Sequence, residues 1–179
     1  MTYLLGLLAG VILALAARAL LTQALLIKLR RDIGRLNAGD HEPLLAGFAD
    51  DAVIRFNEGS HRFSGVHRGR EAIDRFLREF TNAGVQGDIR AIWRLGPPWA
   101  MNLVVRFDDG ATGADGEQLY AKRTVLLART RWGRIVEQED LFWDSSRIAE
   151  FDARLVESWA YPAGGATAGR LGISRVRRR

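Results

Sequence analysis

At 179 residues the chain is long enough for one ordinary domain and short for two. Its 47% apolar and 26% charged residues exclude both a disordered polymer and a multi-span membrane protein. Cysteine is absent, which excludes disulfide frameworks, thiolate metal sites and cysteine nucleophiles together, and the formal charge of +5 has to be located before it implies a partner.

The first predicted element is a long apolar helix. Tyr3 to Ile27 reads YLLGLLAGVILALAARALLTQALLI, with Arg18 its only charge. Roughly 20 apolar residues cross a bilayer as a helix, so a span near residues 3–22 leaves Arg18 close to one end, where its side chain reaches the headgroups. Two other readings stay open. A cleaved signal peptide would use Ala14-Leu15-Ala16 as its site but lacks a positive leading region. A core helix apolar on every face needs a larger protein to hide it. Gly6, Gly10 and Ala14 fall four apart, a row that lets two such helices approach closely. Lys28, Arg30, Arg31 and Arg35 follow the span directly, so the positive-inside rule predicts the N-terminus outside and the rest in the cytoplasm. Residues 1–35 are thus predicted as a transmembrane anchor with a basic juxtamembrane helix.

Residues 36–159 are predicted as the domain. From 37 on it holds 16 basic and 20 acidic side chains, so the positive charge belongs to the two ends of the chain. An acidic body argues against phosphate-tracking nucleic-acid recognition. Asp40, Pro43, Leu44, Leu45 and Phe48 read as a capped short helix ended by Asp50-Asp51. Val53 to Phe56 begins a strand, Asn57-Glu58-Gly59-Ser60 turns, and Phe63 to His67 is a short extended piece. Arg70 to Ala83 reads as a helix with Ile73, Phe76, Leu77 and Phe80 on one buried face. The period then changes to two. Ile89, Ala91, Trp93 and Leu95 alternate with Arg90 and Arg94, and Pro97-Pro98 breaks the ladder. Met101, Leu103, Val105 and Phe107 alternate with Asn102 and Arg106. Residues 108–117 read as a long polar turn, Leu119 to Arg131 as a third long strand, Trp132-Gly133 as a tight hairpin turn and Arg134 to Trp143 as a fourth strand. Asp144-Ser145-Ser146 caps a last helix with Ile148, Phe151 and Leu155 on one face. Trp93, Trp99, Trp132, Trp143 and Trp159 are expected in core and rim packing. Long antiparallel strands joined by turns exclude a parallel sheet with crossover helices. The predicted class is α+β, with helices packed on one side of a curved antiparallel sheet.

This order, with its wording, resembles the SnoaL-like branch of the nuclear transport factor 2-like superfamily. LNAGDHEPLLAGFADDAVIRF resembles that family's opening helix and first strand, GVHRGREAIDRFLREF its short strand and following helix, and WGRIVEQEDLFWD its last hairpin strand, together nearly all of 36–157. The resemblance implies a cone-shaped, cystatin-like roll with a pocket between sheet and helices, often a homodimer. It implies either an isomerase, cyclase, epoxide hydrolase or dehydratase, or a binding module without chemistry.

As the resemblance implies, catalytic members carry a pocket acid on the last strand, in wording like I-V-x-x-R-D-Y-F-D. Laid on Ile135 to Trp143, that acid falls on Asp140. Alternation gives the same face: Val136, Gln138, Asp140 and Phe142 on one side, Glu137 and Glu139 on the other. A lone carboxylate on an apolar face is a candidate general acid–base. The family's following Asp is Trp143 here, with Asp144 one residue later, and a one-residue bulge there would turn Asp140 outward. The alternative for Asp140 is an ion pair with Arg106 or Arg94, or solvent. His67 sits where the family has an aromatic pocket residue; it either assists Asp140 in moving a proton α to a carbonyl or is a hydrogen-bonded wall residue. Arg106 would hold an anionic ligand or form a surface ion pair. Tyr120 would donate a pocket hydrogen bond or seal the rim, and Gln138 and Phe142 complete the ligand-binding set. His41, His61 and His67 lie on different elements without paired ligand spacing, so no metal is expected. No G-x-S-x-G, Walker A or dinucleotide fingerprint is present, and no cofactor is expected.

Residues 160–179 carry five arginines and no acid. They are predicted as a disordered basic tail, able to meet an anionic inner leaflet. Arginine outnumbers lysine 24 to 2, a bias read as a GC-rich bacterial genome. The sequence therefore predicts a single-pass membrane protein presenting a cytoplasmic SnoaL-like domain. Its expected partners are membrane lipid through residues 3–27, a second copy through the sheet face and a small hydrophobic ligand, with no nucleic acid. A small-ligand-binding or interaction module is the first functional reading; an isomerase, cyclase or dehydratase using Asp140 is the second. They divide on whether Asp140 lines an open pocket.

Overall fold

The structure, a computed structural model, describes residues 2–112, 117–142 and 146–160, with the backbone alone for Thr2, Phe142 and 157–160. The cap at Asp144-Ser145, Trp143, the side chains of Phe142 and Trp159, and the tail from 161 lie outside the described residues. Helix α1 runs without a break from Thr2 to Asn37, about 54 Å at 1.5 Å per residue. Leu and Ala supply its propensity. Its first part, Tyr3 to Leu21, stands free of the domain with its leucines exposed. From Thr22 on, one face turns inward: Thr22, Asp32 and Leu36 are buried, and Leu25, Leu29 and Ile33 are packed against the core at the three-and-four spacing of a helical stripe.

After a two-residue turn comes the short α2 (Glu42–Leu45), where Asp40 Oδ1 accepts the Glu42 N–H at 3.3 Å while His41 occupies the cap position. Strand β1 spans Phe48–Phe56, so Asp50 and Asp51 lie within it as exposed residues and do not mark its boundary. Strand β2 (Gly65–Arg68) pairs antiparallel with β1. Helix α3 (Gly69–Asn82) buries Ile73, Phe76 and Leu77 as the spacing predicts. Strands β3 (Gln86–Leu95), β4 (Asn102–Thr112), β5 (Gln118–Arg131) and β6 (Arg134–Phe142) form the meander, and α4 (Ser146–Ala160) closes the chain with Ile148, Phe151 and Leu155 buried. The six strands make one sheet in the order β2-β1-β6-β5-β4-β3. All neighbours are antiparallel except β1 and β6, which run parallel. This is the α+β layout of a curved sheet wrapped on helices, preceded by a long N-terminal helix.

Two irregularities decide which side chains face inward. One extra residue at Arg90 in β3 shifts the register between Ile89 and Ala91. Ile92 then stands opposite the buried Val105, while Ala91, Trp93 and Leu95 pass to the outer face, where Trp93 is 53% and Leu95 65% exposed. The alternation expected across 89–95 therefore holds only at Ile89. In β6 the shift falls at Val136, between the pairs Thr130–Ile135 and Arg129–Glu137. Beyond it the ladder runs regularly through Leu126–Asp140 to Thr124–Phe142. From Glu137 to Phe142 the ladder has no further shift, and Asp140 keeps the inward face.

The strand β4 also continues where a polar turn was expected. Asp108 to Thr112 pair with β5 on one side and, through Gly110, with β3 on the other. The hairpin turn at Trp132-Gly133 is as predicted, with φ of 51° and 77° at its two central residues, the geometry of a type I′ turn. A Cβ at Gly133 would lie 3.2 Å from Leu25 Cδ2 of α1. Gly133→Ala is therefore expected to cost about 1–2 kcal/mol, read as a lower urea midpoint at unchanged slope.

Candidate functional site

The concave face of the sheet and the inner stripe of α1 enclose a cavity of about 140 Å³, with Phe56, Phe76 and Phe80 closing one side. Its walls are mainly apolar: Leu103, Val105 and Phe107 of β4, Leu126 and Ala128 of β5, Leu25, Leu29 and Ile33 of α1. The cavity lies along α1. At the end beside Leu25 the lining is Met101, Thr130 and Gly133. At the other end Asn37 clamps the backbone of Gly87, donating from Nδ2 to its carbonyl at 2.8 Å and accepting its N–H at Oδ1 at 3.0 Å. There the polar groups gather, since Gly87 pairs with Asp109 and Asp109 with Lys122.

Asp140 lines the cavity and is 6% exposed. Gln138, also lining it, donates from Nε2 to both carboxylate oxygens at 3.2 and 3.3 Å. Burial pushes the Asp140 carboxyl up to about 7; the nearby charge of Asp109 pushes the same way, and the Gln138 bond and Lys122 oppose it. Asp109 on β4 lines the same cavity and accepts a hydrogen bond from Thr124 Oγ1. Burial lifts its carboxyl to about 6. Tyr120 completes the group: it is buried, its ring lies 5.1 Å from that of Phe151, and burial with the two carboxylates holds its hydroxyl firmly protonated. A third carboxylate reaches the cavity from α1. Asp32 is buried and pairs with Lys28 through Oδ2; its Oδ1 lies 3.6 Å from Arg31 Nε, an ion pair, and has no hydrogen-bond partner among the described residues.

Asp140, Gln138 and Tyr120, all named from sequence, thus meet in one cavity. The backbone of Phe142 continues their strand toward the same end, and its side chain lies outside the described residues. Arg106 is not part of the site. It points to the exposed outer face, opposite Ala91 and Val125, as the polar phase of its own strand dictates. His67 is not brought to Asp140 either. It pairs with Ile54, which in turn pairs with Gln138, so a full strand separates it from β6. Its Nε2 lies 3.1 Å from the Phe63 carbonyl and its ring 4.5 Å from that of Phe76, which does line the cavity.

Sequence reasoning misses Asp109 because residues 108–117 read as a turn, and misses Lys122 and Thr124 because, on a strand it does place, their link to the site is the cross-strand pairing with β4. Extending the period of Leu103, Val105 and Phe107 by one step reaches Asp109. His41 Nε2 lies 2.8 Å from Asp74 and 3.9 Å from Glu42, a half-exposed cluster that could offer three ligand atoms to a cation. Arg78 also holds Asp74, and the His41 bond foremost keeps that carboxyl below its usual range. The cluster carries no metal assignment. His61 is buried beside Phe56 and Phe63, and burial lowers its pKa despite the charge of Asp152.

A carboxyl raised on folding favours the native state when protonated. Its contribution is fully present below the unfolded value near 4 and is lost as pH rises through the folded value. Asp140→Asn is therefore expected to stabilise the protein at pH 8 and to converge with the unsubstituted chain toward pH 5, read as urea midpoints across that range. His61 acts in the opposite sense below pH 6.5, which is why the difference between the two proteins is the quantity to follow.

The sequence profile of the SnoaL-like domain matches residues 29–138. No curated protein matches the chain. Among solved structures, the fold is similar to TerC crystallised with polyporic acid (20% identity, TM-score 0.60, 72% of this chain and 98% of that one). It is similar as well to an NTF2-like protein from Burkholderia pseudomallei K96243 (20%, 0.60, 72% and 96%). A provisionally named isomerase from Rhodopseudomonas palustris is similar too (19%, 0.53, 70% and 94%).

Proposed function

The chain belongs to the SnoaL-like domain family, and from that premise we propose that it is a membrane-tethered receptor for a small, largely apolar molecule bearing hydrogen-bond donors. The observation that carries this is the cavity itself: an apolar chamber in which Asp140 and Asp109 offer acceptors that no described side chain saturates, and in which Asp32 Oδ1, 3.6 Å from Arg31 Nε, accepts no hydrogen bond among the described residues. Buried acceptors favour a ligand that donates to them, and an apolar wall favours one that is otherwise greasy. TerC, which shares the fold, was crystallised with polyporic acid.

A second reading, an isomerase or dehydratase, rests on the raised carboxyl of Asp140. A carboxyl titrating near 7 is divided between its two forms at neutral pH, as a general acid–base requires. Asp140 would take a proton from carbon α to a carbonyl and return one to the product, while the protonated Tyr120 donates to the oxygen that gains charge. The proton count balances without an oxidant. A thermal-shift screen with small alcohols, amines and enolisable ketones tests both readings. Ligands of this class should raise the melting temperature, and Leu126→Trp, which fills the cavity, should abolish the shift; a shift that survives places binding elsewhere. Exchange of the ligand's α-proton with D2O should vanish in Asp140→Asn, and an unchanged rate would retire the enzymatic reading.

The tether is α1. Its exposed part is long and apolar enough to cross a membrane, and Lys28, Arg30, Arg31 and Arg35 on its C-terminal side favour a cytoplasmic domain. The exposed Trp93, Leu95, Leu127 and Leu141 of the outer sheet face support a homodimer through that face. The full chain should stay with membranes after an alkaline carbonate wash. A C-terminal reporter should be active only in the cytoplasm; activity outside would reverse the orientation.

A further inference from the structure

Three of the five tryptophans expected to pack in the core or at its rim stand exposed: Trp93 on the outer face, and Trp99 and Trp132 at one end of the sheet. Trp99 lies in the turn between β3 and β4, Trp132 in the turn between β5 and β6. The Trp132 N–H donates to the Trp99 carbonyl at 2.8 Å, which ties the two turns together. Trp132 is 79% and Trp99 47% exposed. Neither position follows from packing, since the neighbouring Pro98 and Met101 are fully buried and supply the core at that end.

Their place along α1 is what gives them meaning. Gly133, next to Trp132, abuts Leu25. Leu25 lies just past Thr22, the first buried residue of the helix, and so at the point where α1 leaves the domain. If residues 3–22 fill the hydrocarbon, Leu25 falls about 4.5 Å beyond its edge at 1.5 Å per residue. The headgroup layer is about 5–7 Å deep on each side. The two turns thus sit at interfacial depth, beside an exposed apolar helix surface continued by Leu20, Leu21 and Ile27. Tryptophan partitions to that layer because its ring is apolar and its N–H is polar. Arg131 and Arg134, both exposed, flank the turn in positions to meet lipid phosphates.

We propose that the end of the sheet formed by the Trp99 and Trp132 turns is a docking surface for the lipid headgroup layer. The proposal rests on the tether reading and adds that the domain lies against the bilayer with a fixed face, not free below it. The apolar end of the cavity, at Leu25, Met101 and Gly133, then lies nearest the membrane, and Asp109 and Tyr120 lie toward the far end.

The test uses the full chain reconstituted in phosphatidylcholine–phosphatidylglycerol vesicles. Three variants each keep one tryptophan, at 99, 132 or 93, with the others replaced by phenylalanine. Shallow spin-labelled lipids should quench Trp99 and Trp132 at least threefold more than Trp93. Chain that floats with the vesicles while Trp99 and Trp132 are quenched no more than Trp93 overturns the docking surface and leaves the tether standing. Chain that does not float overturns both. Shielding of the two residues from iodide without quenching by lipid labels would mean a protein covers them, and also overturns the proposal. Because the replacements can disturb folding, the unsubstituted chain is also crosslinked to a lipid with a headgroup-proximal diazirine. Adducts should map to residues 97–101 and 131–134, and their absence from both turns contradicts the docking.

Discussion

The curved sheet has one concave apolar face, and that face has to be covered. The second part of α1 covers it, and much of the rest depends on this. Leu25, Leu29, Ile33 and Leu36 pack into the sheet at helical spacing, each full burial worth roughly 1.5–3 kcal/mol. The same helix continues outward with no break between its covered and uncovered parts. Packing, and not a linker, therefore fixes the direction in which the apolar rod leaves the domain. A change that loosened the stripe would open the cavity and release the rod together.

The electrostatics of the cavity follow from the same enclosure. Two carboxylates on neighbouring walls cannot both stay charged cheaply in an apolar chamber, and burial raises both. Among the described residues, Gln138 donates to Asp140 and Thr124 to Asp109, and Lys122 works against the rise at both. These supports moderate the penalty without cancelling it. A structural core would be better served by apolar residues of the same volume. Keeping acceptors where water is scarce makes sense where something else supplies the donors.

The local pattern of the sequence carried the helical faces well, because a stripe of Ile73, Phe76 and Leu77 or of Ile148, Phe151 and Leu155 is a one-dimensional signal. It also carried the inward face of Asp140, whose neighbours in β6 alternate cleanly once past Val136. What it did not carry is set by partners far away in the chain. Strand β4 reaches Thr112 because β3 and β5 supply ladder bonds on both sides, so Asp109, within a run of glycines and aspartates, read as turn. The extra residue at Arg90 reverses the phase of β3 and carries Trp93 outward. His67 fell on the inner side but one strand too far from Asp140, since the insertion of β1 beside β6 is a parallel, non-local pairing that periodicity cannot show. In α1 the difficulty was the reverse: with apolar residues all round, no face stood out, and the run of basic residues after it hid that Lys28 pairs with a buried Asp32.

The polarity of the cavity has a direction, and strand geometry explains it. Strand β4 starts beside Met101 and carries its inward row through Asp109 to Ala111, while β5 returns from Tyr120 through Thr124 to Ala128 and Thr130. Helix α1 runs alongside, with Leu25 at the apolar end and Asn37, clamped to Gly87, at the end with the carboxylates. The two are twelve residues apart, about 18 Å. A molecule with an apolar body and one polar group fits such a gradient in a single orientation, with the polar group away from the exposed rod. The gradient is independent of whether Asp140 moves a proton. It arises because the hairpin turns at the rod's end need little polarity inside, whereas the far end of the sheet places Asp109, Tyr120 and Lys122 on one inward row.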